Sequence, residues 1–140
     1  MIRSLMIVSA PVLALGPCPK SEATAVKATT NSYVVRSLDV HIDNDLVSVN
    51  GVRAKKKNDK QMTELCMQLY DDANGNGILD TGETTETPYY VGDGSTPTDE
   101  LEIGTINFRY GKQGSRKMNA FKGYVMNAEG KKERFEGPIK

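Results

Sequence analysis

Between residues 71 and 83 the chain reads Asp-Asp-Ala-Asn-Gly-Asn-Gly-Ile-Leu-Asp-Thr-Gly-Glu, and no other stretch constrains the fold as strongly. Counting Asp72 as the first position, Asn74, Asn76, Asp80 and Glu83 fall at the third, fifth, ninth and twelfth. Short polar side chains at alternate positions converge on one point when the backbone winds tightly around it. Gly77, at the sixth, is free to take a positive φ where a Cβ would clash. Ile78, at the seventh, need offer only its backbone carbonyl, which leaves its side chain to anchor the loop in a core. Glu83 is long enough to close the shell with both carboxylate oxygens. An all-oxygen set suits a hard cation, and this spacing is that of a Ca²⁺ loop. Asn-Gly-Asn-Gly alone is also an ordinary turn sequence, but a turn needs neither Asp80 nor Glu83 at those offsets.

What flanks the loop decides which fold carries it. Met62, Leu65, Cys66, Leu69 and Tyr70 fit a helical stripe, while Leu65, Met67 and Leu69 equally fit a strand with alternate residues inward. An EF-hand would need a second helix leaving near the tenth position. Here the exit is Thr84-Thr85-Glu86-Thr87-Pro88 with Gly82 just before it, and β-branched residues, Gly and Pro make a poor helix. A strand is therefore expected on both sides.

The stretch from Leu69 to Glu83 resembles the loop of the calcium-binding B-type repeats of bacterial surface adhesins. The resemblance implies an immunoglobulin-like β-sandwich whose EF-hand-like loop follows a strand. It also implies a Ca²⁺ site made by Asp72, Asn74, Asn76, the Ile78 carbonyl, Asp80 and Glu83.

The remaining chain reads as short strands between turns. Leu38, Val40 and Ile42 alternate with Asp39, His41 and Asp43; Tyr33 and Val35 sit in the opposite phase, which predicts a bulge or strand start near Arg36. Asp43-Asn44-Asp45 is a turn, and Asn50-Gly51 is the strongest short hairpin signal. Tyr89-Tyr90-Val91 is a brief edge strand. Leu101, Ile103, Ile106, Phe108 and Tyr110 make a long strand whose phase changes at Gly104-Thr105, where a bulge is expected. Met118 to Asn127 and Glu133 to Glu136 are the last two strands. The expected fold is a small all-β sandwich of immunoglobulin-like or prealbumin-like type, a single domain over residues 33–140 with the Ca²⁺ loop between strands.

Formal net charge is zero, but it is unevenly spread. From Asp71 to Glu102 there are nine acids and no Lys or Arg; from Arg109 to Lys140, nine basic residues face three acids, a net of +6. The acidic block repels itself unless a cation or the basic segment offsets it. Residues 55–60 form a basic loop that reads as a solvated face. Nucleic acid is not an expected partner, because Phe121 and Tyr124 read as core and the acids balance the rest. Asp93, Asp99 and Glu100 are candidates for a second ion, although their spacing matches no known loop.

Residues 1–23 read as a signal peptide, with Arg3 followed by an apolar run too short to span a bilayer, and 24–32 as a flexible lead-in. Pro17 departs from the small residue that precedes a lipidated cysteine, so lipidation of Cys18 is not expected. Cleavage after Ala23 leaves Cys66 alone, flanked by Leu65 and Met67, as a small buried hydrophobe. Uncleaved, Cys18 and Cys66 are free to pair.

Together these features predict a secreted, periplasmic or cell-surface protein that is not an enzyme and has no transmembrane span. It would use Ca²⁺ structurally and act in adhesion or interaction with an extracellular protein. The alternative is a secreted enzyme or enzyme accessory domain, for which His41, between Asp39 and Asp43, is the one candidate base. A true EF-hand sensor is disfavoured by the non-helical exit. With Asn at two ligand positions, Ca²⁺ affinity is expected on the order of 10⁻⁵ to 10⁻³ M.

Overall fold

Period-two alternation carries through to the architecture. The computed structural model describes residues 26–112 and 114–139; the expected signal peptide at 1–23, with Cys18, lies outside the described residues. Among those described there is no helix, and eleven strands follow in order. They are β1 Lys27–Thr29, β2 Tyr33–Ser37, β3 Val40–Asp43, β4 Leu46–Val49, β5 Val52–Lys56 and β6 Met62–Tyr70. After the loop come β7 Tyr89–Val91, β8 Glu100–Ile103, β9 Ile106–Arg109, β10 Ala120–Asn127 and β11 Lys132–Pro138. They pair antiparallel in three sheets, ordered β8-β5-β2-β1, β9-β4-β3 and β11-β10-β6-β7.

The first two sheets are two halves of one surface bent at a corner. β2 passes into β3 at Leu38-Asp39, β4 into β5 at Asn50-Gly51, and β8 into β9 at Gly104-Thr105, with matching neighbours on either side. The bend is held by Leu38 N–H donating to the Gly51 carbonyl and Asn50 N–H to the Leu38 carbonyl, both at 2.9 Å. Turning this sharply takes backbone conformations outside the extended region: φ is 44° at Asp39 and 125° at Gly51. A Cβ at Gly51 would also lie 3.0 Å from the Ile103 carbonyl oxygen.

Asn50-Gly51 therefore does not close the hairpin expected of it. A hairpin turn needs its flanking strands paired to each other, but β4 pairs with β3 and β9 while β5 pairs with β2 and β8. The two-residue hairpin lies at Asn44-Asp45, where Asp43 pairs with Leu46 and Asn44 has φ 57°. Likewise the phase change at Gly104-Thr105 is a passage between sheets and not a bulge within one strand. Part of the expected lead-in at 24–32 is sheet: Val26 is buried and β1 pairs with β2.

One core joins all three sheets, as in a sandwich. Tyr33, Val35 and Val52 from the first, Val47, Val49 and Phe108 from the second, and Leu65, Leu69, Phe121 and Val125 from the third are all buried in it. Strand β6 resolves the ambiguity of residues 62–70. Leu65, Met67 and Leu69 point into the core, yet Cys66 and Tyr70, on its outer side, are buried as well. A strand covered on both faces loses its alternation, which is why a helical stripe fitted equally well.

Candidate metal centre

The loop leaves the end of β6 and returns to it. Asp71 N–H donates to the Thr84 carbonyl at 2.8 Å, Glu86 N–H donates to the Leu69 carbonyl at 3.0 Å, and Thr85 bridges to Tyr70. Strand-held ends make this a strand–loop–strand unit. The loop folds over the outer face of the third sheet and covers Tyr70, which is only 1% exposed. Burial first, then the fields of Asp72, Glu136, Glu83 and Asp80, pushes the Tyr70 phenol up to about 12.

Inside the loop each expected residue has a definite position. Gly77, at φ 78°, turns its N–H onto Asp72 Oδ2 at 2.8 Å. The Asn74 and Asn76 amides donate to Asp80 Oδ2 at 2.9 and 2.7 Å, and these two bonds hold the Asp80 carboxyl below its ordinary range. Asn74 Oδ1 accepts from Asn76 N–H, and Asn76 Oδ1 from Ile78 N–H. Glu83 closes the loop by accepting from Ala73 N–H and Asp80 N–H, each at 2.8 Å. The same oxygens that a cation would take are here the acceptors of the loop's own N–H groups. Among the described residues, no three Asp, Glu, His or Cys side chains are gathered as a metal site.

Two features nevertheless fit a hard cation. The loop offers oxygen donors only, and Asp72 Oδ1 is buried with no hydrogen-bond partner, in a residue that is 7% exposed. A buried carboxylate oxygen left unpaired is costly, and an ion is one of the few groups that relieves it. Asp72 lines a cavity of about 350 Å³ between the loop and the sheet. One expectation fails here. The Ile78 side chain does not anchor the loop in a core but is 60% exposed, because the loop lies on the outside of the sheet and its seventh position faces solvent.

Residues outside the motif complete the setting. Asn119 grips Asp72 through its backbone, Oδ1 accepting from Asp72 N–H at 2.7 Å and Nδ2 donating to the Asp72 carbonyl at 3.4 Å. Asp71, itself buried, accepts from Gly114 N–H at 3.3 Å and Arg116 N–H at 2.7 Å and so ties the neighbouring turn to the loop. No local pattern marks Asn119 or Glu136, another residue of the cavity wall, because the pairing of β10 with β6 and β11 brings them to the loop from far along the chain.

The other candidates disperse. Asp93 is satisfied by Ser95 N–H, Thr96 N–H and the Thr96 hydroxyl, which together hold its carboxyl far below the usual range, whereas Asp99 pairs with Lys56 and Gln61. Asp93, Asp99 and Glu100 therefore do not converge. His41 is exposed on β3, opposite Ser48. Cys66 is buried, and burial pushes its thiol up, away from the reactive thiolate. Arg109 and Lys117 of the basic segment are taken up by Asp45, at 2.5 and 2.7 Å. No helix among the described residues is long and apolar enough to cross a membrane. Compared with known proteins, the chain matches no family model, no curated sequence and no solved structure.

Proposed function

We propose that this chain is an exported, non-catalytic calcium-binding module of immunoglobulin-like or prealbumin-like type, acting in adhesion or another cell-surface interaction. In this reading Ca²⁺ is structural. Asp72, Asn74, Asn76, the Ile78 carbonyl, Asp80 and Glu83 hold it, and the ion offsets the acidic block. The observation that carries the reading is the unpartnered, buried Asp72 Oδ1 at the first position of a strand-held loop. Asn74, Asn76, Asp80 and Glu83 would each exchange loop hydrogen bonds for the ion, which agrees with weak affinity suited to an extracellular calcium level.

Thermal unfolding in millimolar Ca²⁺, in Mg²⁺ and in chelator tests this. At the tight end of the expected affinity, about 10⁻⁵ M, millimolar Ca²⁺ is roughly a hundredfold excess over Kd, and an ion bound only by the folded state then adds about 2.7 kcal/mol, worth several degrees in Tm for a domain of this size. The expected result is a Ca²⁺-specific rise that disappears in Asp72→Ala. Identical curves in all three conditions would remove the metal from the proposal.

A further inference from the structure

We infer that Glu136 of β11 supplies a carboxylate to the same cation from outside the loop, so that the ion clamps the loop onto the final strand. The inference rests on the calcium reading above and extends it to a residue that the loop motif does not contain.

The argument starts from the register of the third sheet. Tyr70 of β6, Ala120 of β10 and Pro138 of β11 are aligned across the sheet, and Gln68, Lys122 and Glu136 form the next row two residues along. Alternation places both rows on the face opposite Leu69 and Phe121, which lie in the core. The loop lies over this face, and Ala120, with the smallest side chain of its row, leaves room beneath it. The resulting cavity has Asp72, Gly75 and Gly77 on the loop side and Tyr70, Ala120 and Glu136 on the sheet side.

Asp72 and Glu136, the latter an exposed residue, thus line one space. Asp72 is buried and has an oxygen without a partner, an observation independent of the acidic spacing. The Glu136 side chain makes no hydrogen bond or ion pair among the described residues, although Lys122 lies directly across from it. Like charges lining the same cavity repel, and a divalent cation between them reverses the sign of that interaction. Glu136 also raises the charged ligands from the three of the loop, Asp72, Asp80 and Glu83, to four. Counting Glu83 as bidentate, the oxygen number reaches the upper end of the range Ca²⁺ accepts, about six to eight.

The test is Ca²⁺ titration calorimetry on the whole chain, comparing wild type with Glu136→Gln, Asp72→Ala and a control, Glu129→Gln, on the exposed β10–β11 turn. Measurement at about 1 M salt, where the Debye length is about 3 Å, removes long-range charge effects. Glu136→Gln should weaken Ca²⁺ binding about tenfold, in keeping with the dependence of such sites on ligand charge, while Glu129→Gln leaves it unchanged. Hydrogen exchange supplies a readout of the clamp itself. In wild type, Ca²⁺ should slow exchange of the amides of residues 135–139, and Glu136→Gln should abolish that slowing while the loop amides keep theirs. Wild-type affinity in Glu136→Gln, with binding lost in Asp72→Ala, overturns the clamp and leaves the calcium loop standing. Equal weakening in Glu136→Gln and Glu129→Gln overturns it too. No Ca²⁺ binding by wild type overturns both readings together.

Discussion

Two acidic, glycine-rich loops of this protein look alike on paper and differ in what their carboxylates have left to give. In the loop of residues 92–99, Asp93 spends both oxygens on its own turn, accepting from Ser95 N–H, Thr96 N–H and the Thr96 hydroxyl at 2.6 to 2.8 Å. Asp99 is neutralised by Lys56 at 3.0 Å. In the loop of residues 71–83 there is no basic residue, and Asp72 keeps a buried oxygen without a partner. An acidic residue is therefore a candidate ligand according to its unsatisfied lone pairs and not according to the charge around it. By that measure the first loop is a closed turn and the second an open one.

The comparison is broken most severely at the base of the 71–83 loop. Asp71→Ala removes a buried carboxylate that accepts two N–H bonds from the 114–116 turn. Hydrogen bonds to a charged group contribute about 1.5–3 kcal/mol each, and part is recovered by water. A loss of about 3 kcal/mol is expected in denaturant unfolding, the same with Ca²⁺ and with chelator, because Asp71 does not belong to the site. A loss that vanishes in Ca²⁺ would place Asp71 among the ligands.

Asn119→Ala should cost less, about 1–2 kcal/mol, since it removes two neutral hydrogen bonds to the Asp72 backbone. It should also weaken Ca²⁺ binding, because Asp72 is then free to drift from its position. Calorimetry together with unfolding separates the two effects. If stability falls and affinity holds, Asn119 supports the strand end and does not position the ligand.

The smallest effect is expected in the 92–99 loop, and it should depend on pH alone. Hydrogen bonds to Asp93 hold its folded pKa below the unfolded value of about 3.9. The stability it adds is thus fully present above that value and is lost as pH falls through the lower, folded one. Asp93→Asn should flatten this part of the acid limb below about pH 4, equally with and without Ca²⁺. A Ca²⁺-dependent difference at neutral pH would mean that this loop also takes an ion.

Much of the local structure was legible. The non-helical exit from Thr84 to Pro88 identified β6 as a strand where periodicity alone was undecided, and the observed strands at 62–70, 89–91 and 120–127 overlap their expected positions. Asn44-Asp45 turned as expected, and the six loop positions share one hydrogen-bonded loop. The failures have a common origin. Asn50-Gly51 has the chemistry of a hairpin turn, Gly104-Thr105 that of a bulge, and Ile78 that of an anchor, and each judgement assumed which neighbour would be present.

Turn chemistry, strand period and the oxygen spacing of residues 72–83 act over a few bonds, so composition and order alone specified them. Which strands pair, and therefore that Asn50-Gly51 crosses between sheets and that the loop lies over Tyr70 and faces Glu136, depends on contacts between residues distant in the chain. Those contacts arise from burying one core shared by three sheets, and no local segment carries the free energy that selects them.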